Sequence, residues 1–322
     1  MAKNKLIISS PFLILAIILL INSASAADPG IAPLQTSKAM VPASNLIYPA
    51  VFYNPNNPTY NYTELSITNT GDQFIKIKLI FVTPSCMFSD YFIELSPHQS
   101  FLITPETNPA IPAGGTFLTA FAVDNSGSPI SYNYLVGSAR VRVNISSTQY
   151  SGEYNAFGFR AIPDTGQVLQ IIYDGINYEQ GPATIALPII TSRGTGNREL
   201  VTIIPVGPSA PGTLFGSLYD DAEQSQSFSI GSVSCQTVNP LSNTFPRTVP
   251  RFEIVIPAGR TGWMKLYTQY GNKPILALVL HNNDNGCVDN NNFCGGAVPF
   301  WTLTNVNSYG PVTFGGWPST LP

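Results

Sequence analysis

Two histidines, His98 and His281, are all the imidazole chemistry this chain can supply. A Ser-His-Asp or Cys-His site needs a histidine held between a nucleophile and an orienting acid, and no G-x-S-x-G elbow accompanies either one. His98 follows Ser96-Pro97 in a turn-like stretch and His281 opens an Asn-rich loop, so both read as exposed loop residues. Glycoside hydrolysis needs two carboxylates facing each other across a cleft. The local candidates are Asp220, Asp221 and Glu223, just after an expected strand from Leu214 to Tyr219. A solvated acid cluster at a loop edge is the competing reading. Glu64 and Glu199 fall at equivalent places in an internal repeat described below, which argues for structural roles.

The richest loop runs from His281 to Cys294 and includes Asp284, Asp289 and six asparagines. Two carboxylates, several amide carbonyls and a stapled backbone could hold Ca²⁺. The spacing is not that of an EF-hand: with Gly286 as the loop glycine, the terminal acid position falls on Asn292. The plainer reading is an Asx-rich loop that bonds to its own backbone. No other cofactor is expected. Aromatic residues offer a different chemistry, stacking on sugar rings. Trp263, Trp301 and Trp317, with Tyr132 and Tyr134, are the candidate ligand-binding residues, and Tyr48, Tyr53, Tyr60 and Tyr62 form a further cluster. Strand cores and edges use the same residue types.

The cysteines depend on the compartment. Lys3 and Lys5 precede an apolar run from Phe12 to Ile21, and small residues follow at Ala24 and Ala26. That is the order of a secretory signal peptide, expected over residues 1–26. A membrane-spanning helix needs roughly 20 apolar residues, so this run is too short, and no later stretch is long enough. The mature chain would have 296 residues and, once Lys3 and Lys5 are lost, a net charge of −5. No nucleic-acid footprint follows from that charge. Charged residues are 10 % of the chain, against about 25 % in ordinary soluble domains, so uncharged polar groups must solvate the surface. Four cysteines in an exported chain point to two disulfides. Four cysteines allow three connectivities between which sequence does not choose; the short loop favours Cys287–Cys294, with Cys86 then pairing with Cys235. Asn61-Tyr62-Thr63 and Asn144-Ile145-Ser146 are glycosylation sequons, meaningful only in a host that glycosylates.

The elements that must position these residues read as strands. Pro (28) and Gly (26) recur too often for long helices, and no 3.6-residue apolar period persists. Period-two alternation appears at Leu65–Ile67, Ile75–Leu79, Val141–Ile145 and Phe252–Ile256, each expected to be a strand with one wet face. Leu276 to Leu280 lacks alternation and suits a strand covered on both faces. Leu169 to Tyr173 is expected as the last strand of a first domain. Short strands with prolines in or beside them do not suit a transmembrane barrel.

Ile111-Pro112-Ala113-Gly114 recurs as Ile256-Pro257-Ala258-Gly259. Holding that offset, Thr116 meets Thr261 and Pro129-Ile130 meets Pro274-Ile275. Upstream, Pro49 matches Pro188, and Glu64-Leu65 matches Glu199-Leu200. A repeat of this length is a duplicated domain rather than a solenoid unit. The expected fold is all-β: two related β-sandwich domains, Ig-like or jelly-roll-like, at residues 46–182 and 183–322, after an extended arm at 27–45.

Tyr132–Ala139, Tyr154–Phe159, Leu187–Ile190 and Arg198–Val201 together resemble a pattern in uncharacterised secreted bacterial all-β proteins. The resemblance covers about half of the mature chain. It implies no activity and transfers no functional residue.

The residues therefore favour a secreted, non-enzymatic protein with a structural, surface or adhesion role. Its place would be the periplasm, the cell surface or the medium, and its partners glycans or other surface proteins. The alternative is a carbohydrate-binding protein, and a secreted glycoside hydrolase ranks third.

Overall fold

The computed structural model describes residues 41–58, 61–105, 108, 110–145, 148–163, 165–173, 175–192, 197–206, 213–268, 274–283, 297–299 and 301–302. The expected signal peptide 1–26, and the arm 27–45 as far as residue 40, lie outside them.

Strands dominate, as the alternation implies. The first half carries β1 (Asn45–Tyr53), β2 (Tyr62–Asn69), β3 (Ile75–Val82), β4 (Phe88–Leu95), β5 (Ser100–Ile103), β6 (Gly114–Val123), β7 (Leu135–Ile145), β8 (Thr148–Asn155) and β9 (Phe157–Phe159). The second half carries β10 (Thr184–Thr191), β11 (Asn197–Pro205), β12 (Thr213–Asp220), β13 (Ser225–Ser232), β14 (Thr237–Pro240), β15 (Thr261–Thr268), β16 (Ile275–Asn283), β17 (Ala297–Pro299) and β18 (Trp301–Thr302). The first-half sheets are ordered β4-β3-β6-β1-β9 and β5-β2-β7-β8. Those of the second half are ordered β13-β12-β15-β10-β18 and β14-β11-β16-β17. Adding nine to each number of the first pair reproduces the second pair. The fold is predominantly β, with several sheets.

The matched sequence positions have matched backbone roles. The pairing of β1 with β6 shifts between Tyr48 and Val51, around Pro49, and that of β10 with β15 shifts between Leu187 and Ile190, around Pro188. Proline has no N–H to give a ladder, so each strand bulges there. In the repeated Ile-Pro-Ala-Gly, Gly114 has φ +101° and Gly259 φ +82°, while Ile111 and Ile256 are buried. Only glycine takes such a φ at little cost.

The bulge in β1 orphans main-chain groups, and side chains from three other strands or loops take them. The Tyr154 hydroxyl donates to the Ala50 carbonyl (2.7 Å) and accepts from the Ala50 N–H (3.2 Å). Thr63 Oγ1 accepts from the Phe52 N–H (2.8 Å). Gln236 Nε2, from the second half, donates to the carbonyls of Pro49 (2.9 Å) and Thr116 (3.0 Å).

Two apolar cores form, and each draws on both halves. Leu65, Ile67, Ile77, Leu79 and Val141 of the first half pack with Leu200, Leu278 and Leu280 of the second. Ile185, Val201, Leu214 and Val279 of the second half belong to a cluster that reaches Ile80, Phe121 and Phe159 of the first. β16 feeds both: Ala277 and Val279 join one core, Leu278 and Leu280 the other. That is the doubly covered strand expected from its unbroken apolar run. β2 keeps the expected alternation of half-buried and buried residues.

Three expectations need correcting. Phe252–Ile256 is not a strand but a single helical turn, α1 (Phe252–Val255), between Pro250 and Pro257. Phe252 and Val255, three apart, are buried, and Ile254 is exposed, which an alternating strand would not allow. Leu169–Tyr173 forms no regular strand. Its backbone bonds irregularly, the Leu169 N–H to the Pro129 carbonyl and the Ile172 N–H to the Gln170 carbonyl, while Leu169, Tyr173 and Tyr178 anchor it by burial. The Tyr173 ring meets Phe159 edge-on at 4.5 Å, and the Tyr178 ring meets Phe121 at 6.4 Å. β3 lacks the wet face its lysines suggested. Ile80 and Val82 are buried, and Lys78 is 1 % exposed with Nζ 2.9 Å from Asp90 Oδ2.

Replacing Gln236 with Leu, or Tyr154 with Phe, strands buried carbonyls. Each should lower the unfolding free energy in urea by about 1–3 kcal/mol without changing the circular dichroism spectrum. Burial raises the pKa of Tyr48, Tyr154, Tyr173 and Tyr178 above the ordinary tyrosine value. A pKa raised in the folded state stabilises below the unfolded value, about 10, and that contribution is lost as pH rises beyond it. Alkaline titration of tyrosinate absorbance should therefore show these four ionising only as the chain unfolds.

Candidate functional site

The acids and histidines weighed for catalysis are bound up in turns and ion pairs. Asp220 ends β12, and its Oδ1 accepts from the N–H groups of Ala222 (3.0 Å) and Gln224 (2.8 Å), closing the hairpin to β13. Asp221 pairs with Arg260. Glu223 sits at φ +65° in the same turn. An Asx turn thus accounts for the acid cluster. His98, also at positive φ, places Nε2 2.9 Å from Asp72 Oδ1 on the surface. His281 Nδ1 lies 3.5 Å from Glu199 Oε1, a buried carboxylate that also accepts from the Thr191 N–H at 2.6 Å. Glu64 instead lies on a wet sheet face, 3.8 Å from Arg140. Both glutamates are paired, but they are not equivalent in the fold. Glu64 points away from the core that holds Leu65 and Ile67, whereas Glu199 lies on the side of β11 that carries Val201 into its own core, so the match of Glu64-Leu65 with Glu199-Leu200 is one residue out of structural register.

The candidate stacking residues separate. The Trp263 ring lies parallel to Tyr219, its cross-strand partner on β12, at 4.2 Å and 3°. Phe215 and Tyr267 form a second stacked pair on the same strands at 6.1 Å. Tyr132 does not present a surface: it is buried, and its hydroxyl donates to Asn69 Oδ1 at 2.8 Å. Tyr134 beside it is 43 % exposed, its ring 5.1 Å from that of Tyr132. Tyr48 is buried, its hydroxyl donating to the Ser66 carbonyl. The Trp301 backbone pairs with Ala186. Trp317 lies outside the described residues, as do Asp284, Asp289, Cys287 and Cys294 of the loop considered for calcium. Among the described residues no group of three or more His, Cys, Asp or Glu could hold a metal ion, and no helix is long and apolar enough to cross a membrane.

Cys86 is bonded to Cys235, with Cα atoms 5.4 Å apart. The first belongs to the β3–β4 turn, and the second leads into β14. The bond therefore ties the two halves beside Gln236.

Three surface features escaped the sequence reading. The first is β4, an edge strand that among the described residues is hydrogen-bonded to β3 alone. Phe88 is 56 % exposed, Tyr91 and Phe92 are also exposed, and Met87 and Phe74 flank them. Lys76 Nζ lies 4.7 Å over the Phe92 ring. The second is a shallow polar groove of about 460 Å³ on the outer face of β5-β2-β7-β8. Arg140 crosses it, its Nε donating to Glu153 Oε1 at 2.8 Å. The third is a groove of about 420 Å³ where the halves meet, lined by Tyr53, Asn54, Asn61, Gly114, Asn144 and Val238 among others. Both sequon asparagines line it. Those sequons, and Tyr53 of the tyrosine cluster, were its sequence signals.

Cutting the disulfide, by reduction or by a Cys86→Ala/Cys235→Ala pair, frees a loop with a sequence separation of 149. The expected loss is roughly 3–5 kcal/mol of stability, read from the urea midpoint.

No protein-family model and no curated protein matches the sequence. Among solved structures, Thermotoga maritima 1070 is similar over 36 % of this chain and 94 % of its own, at 15 % identity and a TM-score of 0.29. A beta-galactosidase described as putative, from Bacteroides fragilis, is similar over 82 % of this chain and 35 % of its own, at 9 % identity and a TM-score of 0.14. Neither overlap is close enough to bear on fold or function.

Proposed function

We propose that this chain is a secreted, non-enzymatic surface protein that assembles with copies of itself through the open edge of β4. Its body is two related β-sandwich domains, over residues 46–182 and 183–322, that arose by duplication. The shared strand order, the matched bulges at Pro49 and Pro188, and the two positive-φ glycines of Ile-Pro-Ala-Gly support the duplication.

The observation that carries the assembly reading is the edge itself. An edge strand offers unpaired N–H and C=O groups, and folded proteins blunt such edges with lysine, proline or a cover. β4, Phe-Ser-Asp-Tyr-Phe-Ile-Glu-Leu, has neither lysine nor proline and exposes three aromatic rings. A second copy fits by charge. If two β4 strands run antiparallel with Tyr91 on the twofold axis, Asp90 faces Phe92 and Phe88 faces Glu94. Every carboxylate then meets a ring rather than another carboxylate, and Lys78 already neutralises Asp90. Such an isologous contact closes as a dimer.

Sedimentation velocity over a concentration series tests this. The wild type should dimerise, and Phe88→Glu/Phe92→Glu, which sets acid against acid, should weaken the dimer roughly tenfold or more while keeping the circular dichroism spectrum. A wild type that stays monomeric at every concentration, or a double variant that dimerises as well as wild type, would overturn the reading.

A further inference from the structure

We infer that the groove at the junction of the halves binds a neutral oligosaccharide. The inference is independent of β4 pairing, since none of the residues it uses lies on that strand.

The groove is assembled from parts far apart in sequence. Its walls are the end of β1 with Tyr53, the following turn with Asn54 and Asn61, the start of β6 at Gly114 and the end of β7 at Asn144, with Val238 of β14 from the other half. Its volume, about 420 Å³, lies within the range of ligand clefts. None of its described lining residues is charged. A phosphate, a carboxylate or a strongly charged peptide would be desolvated there without a counter-charge, whereas a neutral polyhydroxyl chain would not suffer that penalty.

The polar groups are already oriented. Asn61 Oδ1 accepts from the Asn144 N–H at 2.9 Å, and Asn54 Oδ1 accepts from the Asn56 N–H at 3.0 Å. Because the partner in each case is an N–H, the carbonyl oxygen must be the inner atom, which fixes the amide flip. Each Nδ2 is then left with two hydrogens to donate. Two fixed amide donors in a concave site match the hydroxyl oxygens of a sugar. Tyr53, half-buried beside them, supplies an apolar ring for sugar C–H groups.

The floor is open for a structural reason. A Cβ on Gly114 would meet nothing within 4 Å, so the glycine there leaves the backbone uncovered. A covalent tie lies close to the groove. Pro84 and Val238, on opposite sides of the junction, lie two and three residues from the bonded Cys86 and Cys235. Such preorganisation lowers the entropy lost on binding.

Titration calorimetry with cellotetraose, maltotetraose, chitotetraose and mannotetraose on the mature protein provides the test. At least one sugar should bind saturably. Asn61→Asp keeps an oxygen for the Asn144 N–H but removes the Nδ2 donors, so it should weaken that sugar roughly tenfold or more while leaving the thermal unfolding transition in place. Arg140→Ala, four residues before Asn144 on β7 and outside the groove's lining, should bind as wild type does. No heat with any of the four sugars at millimolar concentration, full affinity in Asn61→Asp, or binding of an uncharged Gly-Ser peptide in preference to every sugar would each overturn the assignment. Dimerisation measured on the same samples keeps the result separate from the fate of β4.

Discussion

A proline in the middle of β1 breaks a ladder, and much of the architecture answers that break. Pro49 has no N–H, the strand bulges, and the carbonyls of Pro49 and Ala50 and the N–H of Ala50 lose their ladder partners. Tyr154 reaches them from the facing sheet and Gln236 from the other half of the molecule. A defect in one strand thus becomes the point where two sheets and two halves are pinned together. Gln236 gives both hydrogens of its amide to backbone carbonyls of the first half, a bond pattern that a shorter or apolar side chain cannot copy.

The two halves share their strand order but not their wetness. The outer face of β5-β2-β7-β8 carries Glu64, Ser66, Arg140 and Glu153 in solvent. The corresponding face of β14-β11-β16-β17 carries Leu200, Leu278 and Leu280, buried against the first half. One scaffold therefore offers a polar sheet outward and an apolar sheet inward. The junction that results is an apolar interior, and its rim holds the disulfide and the amide-lined groove.

Where a residue's role is local, it could be read from the sequence. Ile-Pro-Ala-Gly announced a repeated turn because only glycine tolerates the φ it needs. Leu276–Leu280 announced a doubly covered strand because both of its faces are apolar. Phe252–Ile256 misled, since apolar residues at i, i+2 and i+4 also contain the i, i+3 spacing of one helical turn, and the flanking prolines decided the outcome. Leu169–Tyr173 misled because burial by ring packing mimics a strand pattern without a ladder. Trp263 was visible by type, yet its stacking on Tyr219 depends on register. The open edge of β4 depends on which strand ends the sheet. The groove depends on loops that meet only after folding, so Asn54, Asn61 and Asn144 had no shared signature beyond two sequons.

The Cys86–Cys235 bond also sets an order of events. A chain appears N-terminus first, so Cys86 emerges long before its partner, with 149 positions to wait. During that interval Pro49 and Thr116 lack the amide of Gln236, and Leu278 and Leu280 are not yet there to complete the first core. The first half cannot reach its final packing as it is made. Maturation is a property of the finished length, and a molecule truncated before residue 235 would leave a thiol, two carbonyls and an apolar patch exposed together.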